Sequence, residues 1–373
     1  MSDACTAEGR GAAPPDLGEL LGMAPYGSPA SDKQRILTAG LRDLTAWHRQ
    51  QCAPYARVLD MLGVRDERLA RVEDIPFLAV RAFKEHELLS VAREQVFKTM
   101  TSSGTTGQQV SRIYLDRDTA QLQNKVLARL MVDVLGKSRL PMLVIDSPSV
   151  LRDRLAFSAR GAGILGFSLF GQDVTYALDE DMNLDLPRIQ AFLEKHQGQP
   201  VFVFGFTFMI WQHFLLPLHA GQVRLSMPKG ILLHGGGWKK LQAQAVDSAE
   251  FQRRMIEQTG LARVLSYYGM VEQTGSIHVE CPSGHLHASV FSDVIIRDHR
   301  DFSPLPIGQS GLIEVLSLLP RSYPGHALLT EDVGMLLGED DCPCGRLGRY
   351  FSVSGRVAKA EVRGCSDAYA AAL

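Results

Sequence analysis

Between residues 101 and 107 the chain reads Thr101-Ser102-Ser103-Gly104-Thr105-Thr106-Gly107, and no other stretch limits so tightly what it can fold into. Gly104 and Gly107 permit positive φ and close backbone approach, so successive N–H groups can converge on an anion while the hydroxyls add donors. The pattern predicts a loop that cradles phosphate. A Walker-type loop would end in Gly-Lys-Ser/Thr, whereas Gly107 is followed by Gln108 and Gln109, which argues against a P-loop NTPase. A flexible Ser/Thr/Gly linker is the plainer reading, but the strand-like Val110-Ser111-Arg112-Ile113-Tyr114-Leu115 follows at once.

The chain has 373 residues, 39 basic and 41 acidic side chains and a net charge of −2. That length makes about two or three domain-sized units. The charge balance offers no electrostatic footprint for nucleic acid or an anionic membrane surface. The densest apolar run, Val201 to Leu216, is interrupted by Gln212 and His213 and is too short to span a bilayer, so it belongs to a core or pocket. With no basic-then-apolar leader at the N-terminus, the expected location is cytoplasmic. The cysteines at 5, 52, 281, 342, 344 and 365 are then expected to be reduced, which favours metal binding or nucleophilic chemistry over disulfides.

Residues 1–20 read as a loose tail and 21–100 as a helical region, with Leu37, Leu41, Leu44 and Trp47 at helical spacing and Ser31 with Asp32 as the cap. Residues 101–275 alternate strand and helix patterns: strands at 141–145 and 200–204, helices at 186–195 and 208–216. That order predicts an α/β core. Residues 276–356, with strand-like runs at 288–291 and 311–316, read as β-rich, and 357–373 as a tail.

Three further elements follow the loop. Tyr268-Gly269-Met270-Val271-Glu272 offers an aromatic surface and a glycine for a purine, with Glu272 placed to bind Mg²⁺. Thr330-Glu331-Asp332 presents Asp332, whose oxygens can accept hydrogen bonds from both ribose hydroxyls. Gly355-Arg356 supplies a fixed guanidinium for ribose or phosphate oxygens. Singly, each has an ordinary structural reading: a solvated helix acid, a turn acid, half of a surface ion pair.

Together their order resembles the adenylate-forming superfamily, which makes acyl-AMP from a carboxylic acid and ATP and passes the acyl group to a thiol. More narrowly the chain resembles the acyl-protein synthetases of bacterial bioluminescence (the LuxE family). That resemblance rests on Ile75-Pro76-Phe77-Leu78-Ala79-Val80-Arg81-Ala82-Phe83-Lys84, on His234-Gly235-Gly236-Gly237-Trp238-Lys239-Lys240 and on the tail Arg363-Gly364-Cys365-Ser366-Asp367. It implies the N-terminal body of adenylate-forming enzymes, α/β with mixed sheets flanked by helices and a β-rich subdomain, without the full C-terminal small domain. It also implies a nucleotide site at residues 101–107, Gly236, Tyr268, Gly269 and Asp332, with Glu272 and Arg356 catalytic, and an acyl-accepting thiol at Cys365. ATP and Mg²⁺ are the implied cofactors, a fatty acid the substrate, and a reductase or acyltransferase the partner. The chain stops 17 residues after Arg356, and Val357-Ala358-Lys359 stands where superfamily members have a hinge acid. The cation that offsets carboxylate–phosphate repulsion is therefore sought at Lys239, Lys240 or Lys359. A ligase loading coenzyme A or a carrier protein, and a non-catalytic nucleotide-binding scaffold, remain the alternatives.

The aromatic stretch from Val201 to Trp211 reads as a buried strand entering a core helix, one face of which borders an acyl tunnel. Cys281, His287, Cys342 and Cys344 suit tetrahedral zinc, with His285 as the alternative fourth ligand. Cys342-Pro343-Cys344-Gly345-Arg346 is similar to a segment of phenylacetate-type ligases, which supports that reading.

Overall fold

The structure is a computed structural model that describes residues 12–102, 110–151 and 159–357. Side chains at 66, 159, 239, 240 and 242 also lie outside the description. Fourteen strands are described. β1 (Leu78–Ala79) and β4 to β14 form a 12-stranded sheet, while β2 (Lys98–Thr101) and β3 (Arg112–Leu115) form an antiparallel pair.

The large sheet has two halves. β5 (Gly171–Tyr176), β4 (Leu140–Ile145), β6 (Phe202–Phe206), β7 (Ile231–Gly235) and β8 (Arg263–Tyr268) are parallel neighbours in that order. All six residues of β4 are buried, as expected of a parallel strand covered by helices on both faces. The Arg117–Leu135 and Ala159–Ser168 helices pack on one face through Val126, Leu130, Met131 and Ile164, and the Leu186–Lys195 and Ser248–Thr259 helices cover the other through Ile189, Phe192, Phe251 and Met255. Each such large apolar side chain, once buried, contributes about 1.5–3 kcal/mol.

At β9 (His278–Glu280) the sheet turns antiparallel and continues through β10 (Leu286–His287), β14 (Arg349–Arg356), β13 (Ala327–Glu339), β12 (Ser310–Ser317) and β11 (Ser292–Arg297). The β-rich stretch is thus continuous with the sheet of the α/β core. β1 adds alongside β13 in parallel, pairing Leu78 with Leu328 and Ala79 with Leu329.

Most of the expected elements are present, with three differences. The first long helix spans Ala30–Gln51, but Ser31 and Asp32 lie inside it: Pro29 is the N-cap, and the Ala30 N–H is satisfied by the distant Asp340 carboxylate at 3.0–3.1 Å. A tertiary acceptor replaces the local cap. Residues 288–291 precede β11 without joining a strand, because Ala288 and Val290 give their N–H groups to Arg349 and Pro25 carbonyls. The helix near 208–216 is wound as π-helix over Ile210–Leu215 between short α-helical pieces. Its side chains Ile210, Trp211, Phe214 and Leu215 are nevertheless buried as the apolar run requires. No described helix is long and apolar enough to cross a membrane.

Gly275 follows the Val271–Gln273 turn with φ +88°, and a Cβ there would lie 2.8 Å from the Gln123 carbonyl oxygen and 2.9 Å from its Cα. Backbone cannot retreat as a flexible side chain can. Gly275→Ala is expected to cost about 1–3 kcal/mol, read as a lower denaturation midpoint in urea with an unchanged slope.

Candidate functional site

The parallel strands β6, β7 and β8 end in register, Phe206 beside Gly235 and Gly235 beside Tyr267. Their carboxyl ends therefore share one edge, where the sheet also changes from parallel to antiparallel, and ligands of open α/β sheets bind at such an edge. Gly236 continues β7 with φ +78°, a conformation costly for any other residue. Tyr268 ends β8, and Gly269 carries the chain to the 3₁₀ turn holding Glu272.

From the antiparallel half, β13 and β14 bring Asp332 directly opposite Arg356. The Tyr268 hydroxyl donates to Asp332 Oδ2 at 2.7 Å, and Arg356 Nε donates to Oδ1 at 3.2 Å. One carboxylate thus joins three elements that are far apart in sequence. Burial and the Asp332 charge push the Tyr268 phenol well above its ordinary pKa, which keeps it a donor. Its ring stacks on His278 at 6.2 Å and meets Phe351 edge-on. In the sequence Tyr268 is legible only as an aromatic surface, whereas its hydroxyl orients Asp332.

Glu272 is buried, and burial raises its carboxyl above the usual range, with the Lys84 and Arg356 charges acting in the opposite direction. Its backbone carbonyl accepts from the Tyr323 hydroxyl at 2.8 Å, and the next side chain, Gln273, donates to the Val315 and Gly325 carbonyls. The turn is thereby fixed on both sides. Thr101 and Ser102 stand at the mouth of the expected phosphate loop, closed by Ser102 N–H to Ser111 O at 3.2 Å and Ser111 N–H to Ser102 Oγ at 2.9 Å. Met100 on β2 lies against Thr274, with sulfur and hydroxyl 3.9 Å apart, which places the mouth of the loop beside the Glu272 turn. Ser103 to Gly107, Lys359 and Cys365 fall outside the described residues, as do the side chains of Lys239 and Lys240.

At the other end of the β13–β14 hairpin, Cys342 and Cys344 face Cys281 and His287 from the β9–β10 connection and β10. The four ligand atoms lie within 4.8 Å of one another. Cys281 Sγ is 3.9 Å from Cys342 Sγ, and His287 Nε2 is 3.4 Å from Cys344 Sγ. A tetrahedral ion with metal–sulfur bonds of about 2.3 Å separates its sulfurs by about 3.8 Å, so the spacing fits. Ser283 and Arg346 N–H groups point at Cys281 and Cys344 sulfurs, each at 3.4 Å. His285 approaches Cys342 Sγ through Nδ1 at 3.3 Å and stacks on Tyr350. It stands outside the group of four, which includes His287.

The acyl-protein synthetase LuxE family model matches residues 17–373. The chain belongs to that family. A long-chain-fatty-acid–luciferin-component ligase of Vibrio harveyi is 24% identical over 382 residues, covering 95% of this chain and 93% of that protein. A ligase of the same description from Aliivibrio fischeri is 21% identical over 281 residues, 72% of this chain and 71% of that one. Among solved structures, an open conformation of 2-hydroxyisobutyryl-CoA ligase superposes with a TM-score of 0.68 at 15% identity, covering 90% of this chain and 77% of that one. At that identity the likeness is one of fold. As a LuxE-family member the chain is a ligase of the acyl-protein synthetase type.

Asp332→Ala removes the acceptor on which Tyr268 and Arg356 converge and is expected to weaken ATP binding by about 1.5–3 kcal/mol, the range for hydrogen bonds to a charged group. Tyr268→Phe should show part of that loss with little change in fold. Calorimetric titration of both variants with ATP checks the assignment, and unchanged affinity in Asp332→Ala would remove it.

Proposed function

We propose that this LuxE-family enzyme activates a long-chain fatty acid with ATP and transfers the acyl group to the thiol of Cys365, from which a partner enzyme, a reductase or an acyltransferase, receives it. The reading rests on one observation above all, the Asp332 carboxylate held between Tyr268 and Arg356 next to the buried Glu272 turn. The long-chain fatty acid is named in the description of both relatives, and the family is described as acyl-protein synthetase.

In the first step a carboxylate oxygen of the acid attacks the α-phosphorus, a carbon–oxygen–phosphorus anhydride forms, and pyrophosphate leaves with the electrons of the broken phosphorus–oxygen bond. Residues 101–107 hold the phosphates through backbone N–H groups and hydroxyls. Asp332 accepts from the ribose hydroxyls, its orientation set by Tyr268. Gly236 and Gly269 leave room for the purine at the sheet edge, and Arg356 meets negative charge on the nucleotide. Glu272 would hold magnesium, which would offset charge on the phosphates. In the second step the Cys365 sulfur attacks the acyl carbon, AMP departs, and a thioester remains. The aromatic strand β6 and the helix beyond it border the acyl chain.

Cys281, His287, Cys342 and Cys344 hold a structural zinc in this reading. The site fits because its three sulfurs, as thiolates, would donate electron pairs to the ion, while burial lowers the pKa of His287 to about 3 and leaves its imidazole neutral and able to donate. Zinc would tie the β9–β10 connection to the β13–β14 turn.

Given ATP, Mg²⁺ and a radiolabelled fatty acid, the wild-type chain should retain label that neutral hydroxylamine releases. Cys365→Ser should lose it and still exchange pyrophosphate into ATP, since the thiol acts after acyl-AMP has formed. Label retained by the serine variant would place the acyl group elsewhere. No label on wild type, together with transfer to coenzyme A or a carrier, would replace the acceptor. ATP binding without exchange for any acid would leave a scaffold.

Protein purified without chelator should contain about one zinc per chain and melt at a lower temperature once stripped. His287→Ala should lose metal and His285→Ala retain it, as elemental analysis can read directly.

A further inference from the structure

Joining a carboxylate to a triphosphate brings like charges together, and a fixed cation at the point of attack lowers that barrier. The segment from Ile75 ends in a lysine, Lys84. β1 lies along β13, and the Val80 N–H continues the pairing by donating to Leu329 O at 2.9 Å, three residues before Asp332. The chain then turns into the short Ala82–Glu85 helix. Phe83, 1% exposed, locks that helix by meeting Tyr323 edge-on at 5.9 Å, and Tyr323 is the residue whose hydroxyl holds the Glu272 carbonyl. The helix also packs on β3, the strand that leaves the phosphate loop.

Lys84 therefore stands on a rigid element wedged between the Asp332 strand, the Glu272 turn and the return strand of the loop. On this helix Arg81 is already bound to Glu85, at 2.6 Å. Lys84 is half-buried and makes no ion pair among the described residues. Its charge nonetheless acts on Glu272: burial raises that carboxyl above the usual range, and the Ser111 hydrogen bond and then the Lys84 charge work in the opposite direction. With no carboxylate at ion-pair distance among the described residues, this half-buried ammonium is free to meet a phosphate oxygen.

We propose that Lys84 is a catalytic residue of the adenylation step, its ammonium group contacting the α-phosphate oxygens as the acid attacks. This assignment rests on the adenylating reading given above. Attack by the carboxylate and departure of pyrophosphate proceed as already written, and the lysine remains protonated throughout. It forms no bond. Its contribution is to reduce repulsion between the incoming carboxylate and the phosphate and to stabilise charge on the phosphoryl oxygens in the transition state.

Lys84→Met keeps the length of the side chain and removes its charge, and Lys84→Arg restores a cation. Both variants and wild type are compared, after matched thermal melts, in two assays: acid-dependent pyrophosphate exchange, and thioester formation from chemically synthesised acyl-AMP. Lys84→Met is expected to lose about 100- to 1,000-fold in the exchange rate, the effect of removing one charge-stabilising donor. It should form thioester from acyl-AMP within a few-fold of wild type, and Lys84→Arg should recover part of the exchange. Exchange by Lys84→Met at the wild-type rate overturns the proposal, as does equal loss in both assays, which would mark a packing role. Wild type that exchanges with no acid would tell against adenylation itself, and Lys84 would fall with it.

Discussion

The arrangement at the site depends on the place where the large sheet stops being parallel. β8 is the last parallel strand, and its antiparallel neighbour β9 reverses the chain so that β10, β14 and β13 can follow across the same sheet. Tyr268, at the end of β8, and Asp332, on β13, reach one another only because of that reversal. In a fully parallel sheet each strand would be followed by a crossover helix on one face, and the direct β8–β9 reversal would be lost. Glu280 helps fix the switch: its buried carboxylate accepts from the Ser266 N–H on β8 at 2.7 Å and from Gln252 on the covering helix at 3.3 Å. An acid inside the sheet is tolerated because its oxygens find donors there.

The N-terminal helices are fastened to the antiparallel half by buried charge as well as by apolar contact. Lys33 on the Ala30–Gln51 helix donates to Asp293 Oδ1 at 3.3 Å and to the Ala288 carbonyl at 3.1 Å, both partners being buried. Arg349 on β14 bonds Glu73 and Glu339, each at 2.9 Å. A buried pair such as Lys33–Asp293 gives little net stability over a well-packed apolar alternative, but removing one partner leaves an uncompensated charge and costs about 3–5 kcal/mol, whereas the Arg349 pairs are only part-buried. Their effect is to fix where the helices sit. That position fixes β1, which emerges from this region to lie along β13 and deliver the Ala82–Glu85 helix to the site.

What could be read in the sequence follows the range of the interactions involved. Leu37, Leu41 and Leu44 announce their helix because burial repeats with the helical period, and all three are fully buried. Tyr268, Glu272, Asp332 and Arg356 were legible as a set because their order in the chain carries the family pattern, though composition and spacing assign none of them singly. The Ala30 cap was not legible, since its acceptor lies 310 residues away. Nor was the Tyr268 hydroxyl bond to Asp332, 64 residues distant, because a tyrosine in a sequence does not show where its oxygen goes. Lys84 carries no signal in the sequence, since a lysine is usually solvated and only three-dimensional packing shows that its helix is held.

The two ends of the β13–β14 hairpin divide the work between them. Asp332 and Arg356 form a register pair at the nucleotide end, whereas Glu339 and Arg349 pair near the turn that carries Cys342 and Cys344. Asp340 bridges the turn itself, accepting from the Gly348 N–H at 2.7 Å while also capping Ala30. The cysteine end is therefore anchored to the N-terminal helix and, through Cys281 and His287, to β9 and β10. β13 runs from that anchored end to Asp332, with irregularities in its pairing to β14 at Val333/Gly334 and Leu336/Gly338. A substitution at the cysteine cluster should therefore disturb the pairing of β14 with β10 before it disturbs Asp332. Tyr268 and Arg356 each hold the carboxylate directly, independently of the turn.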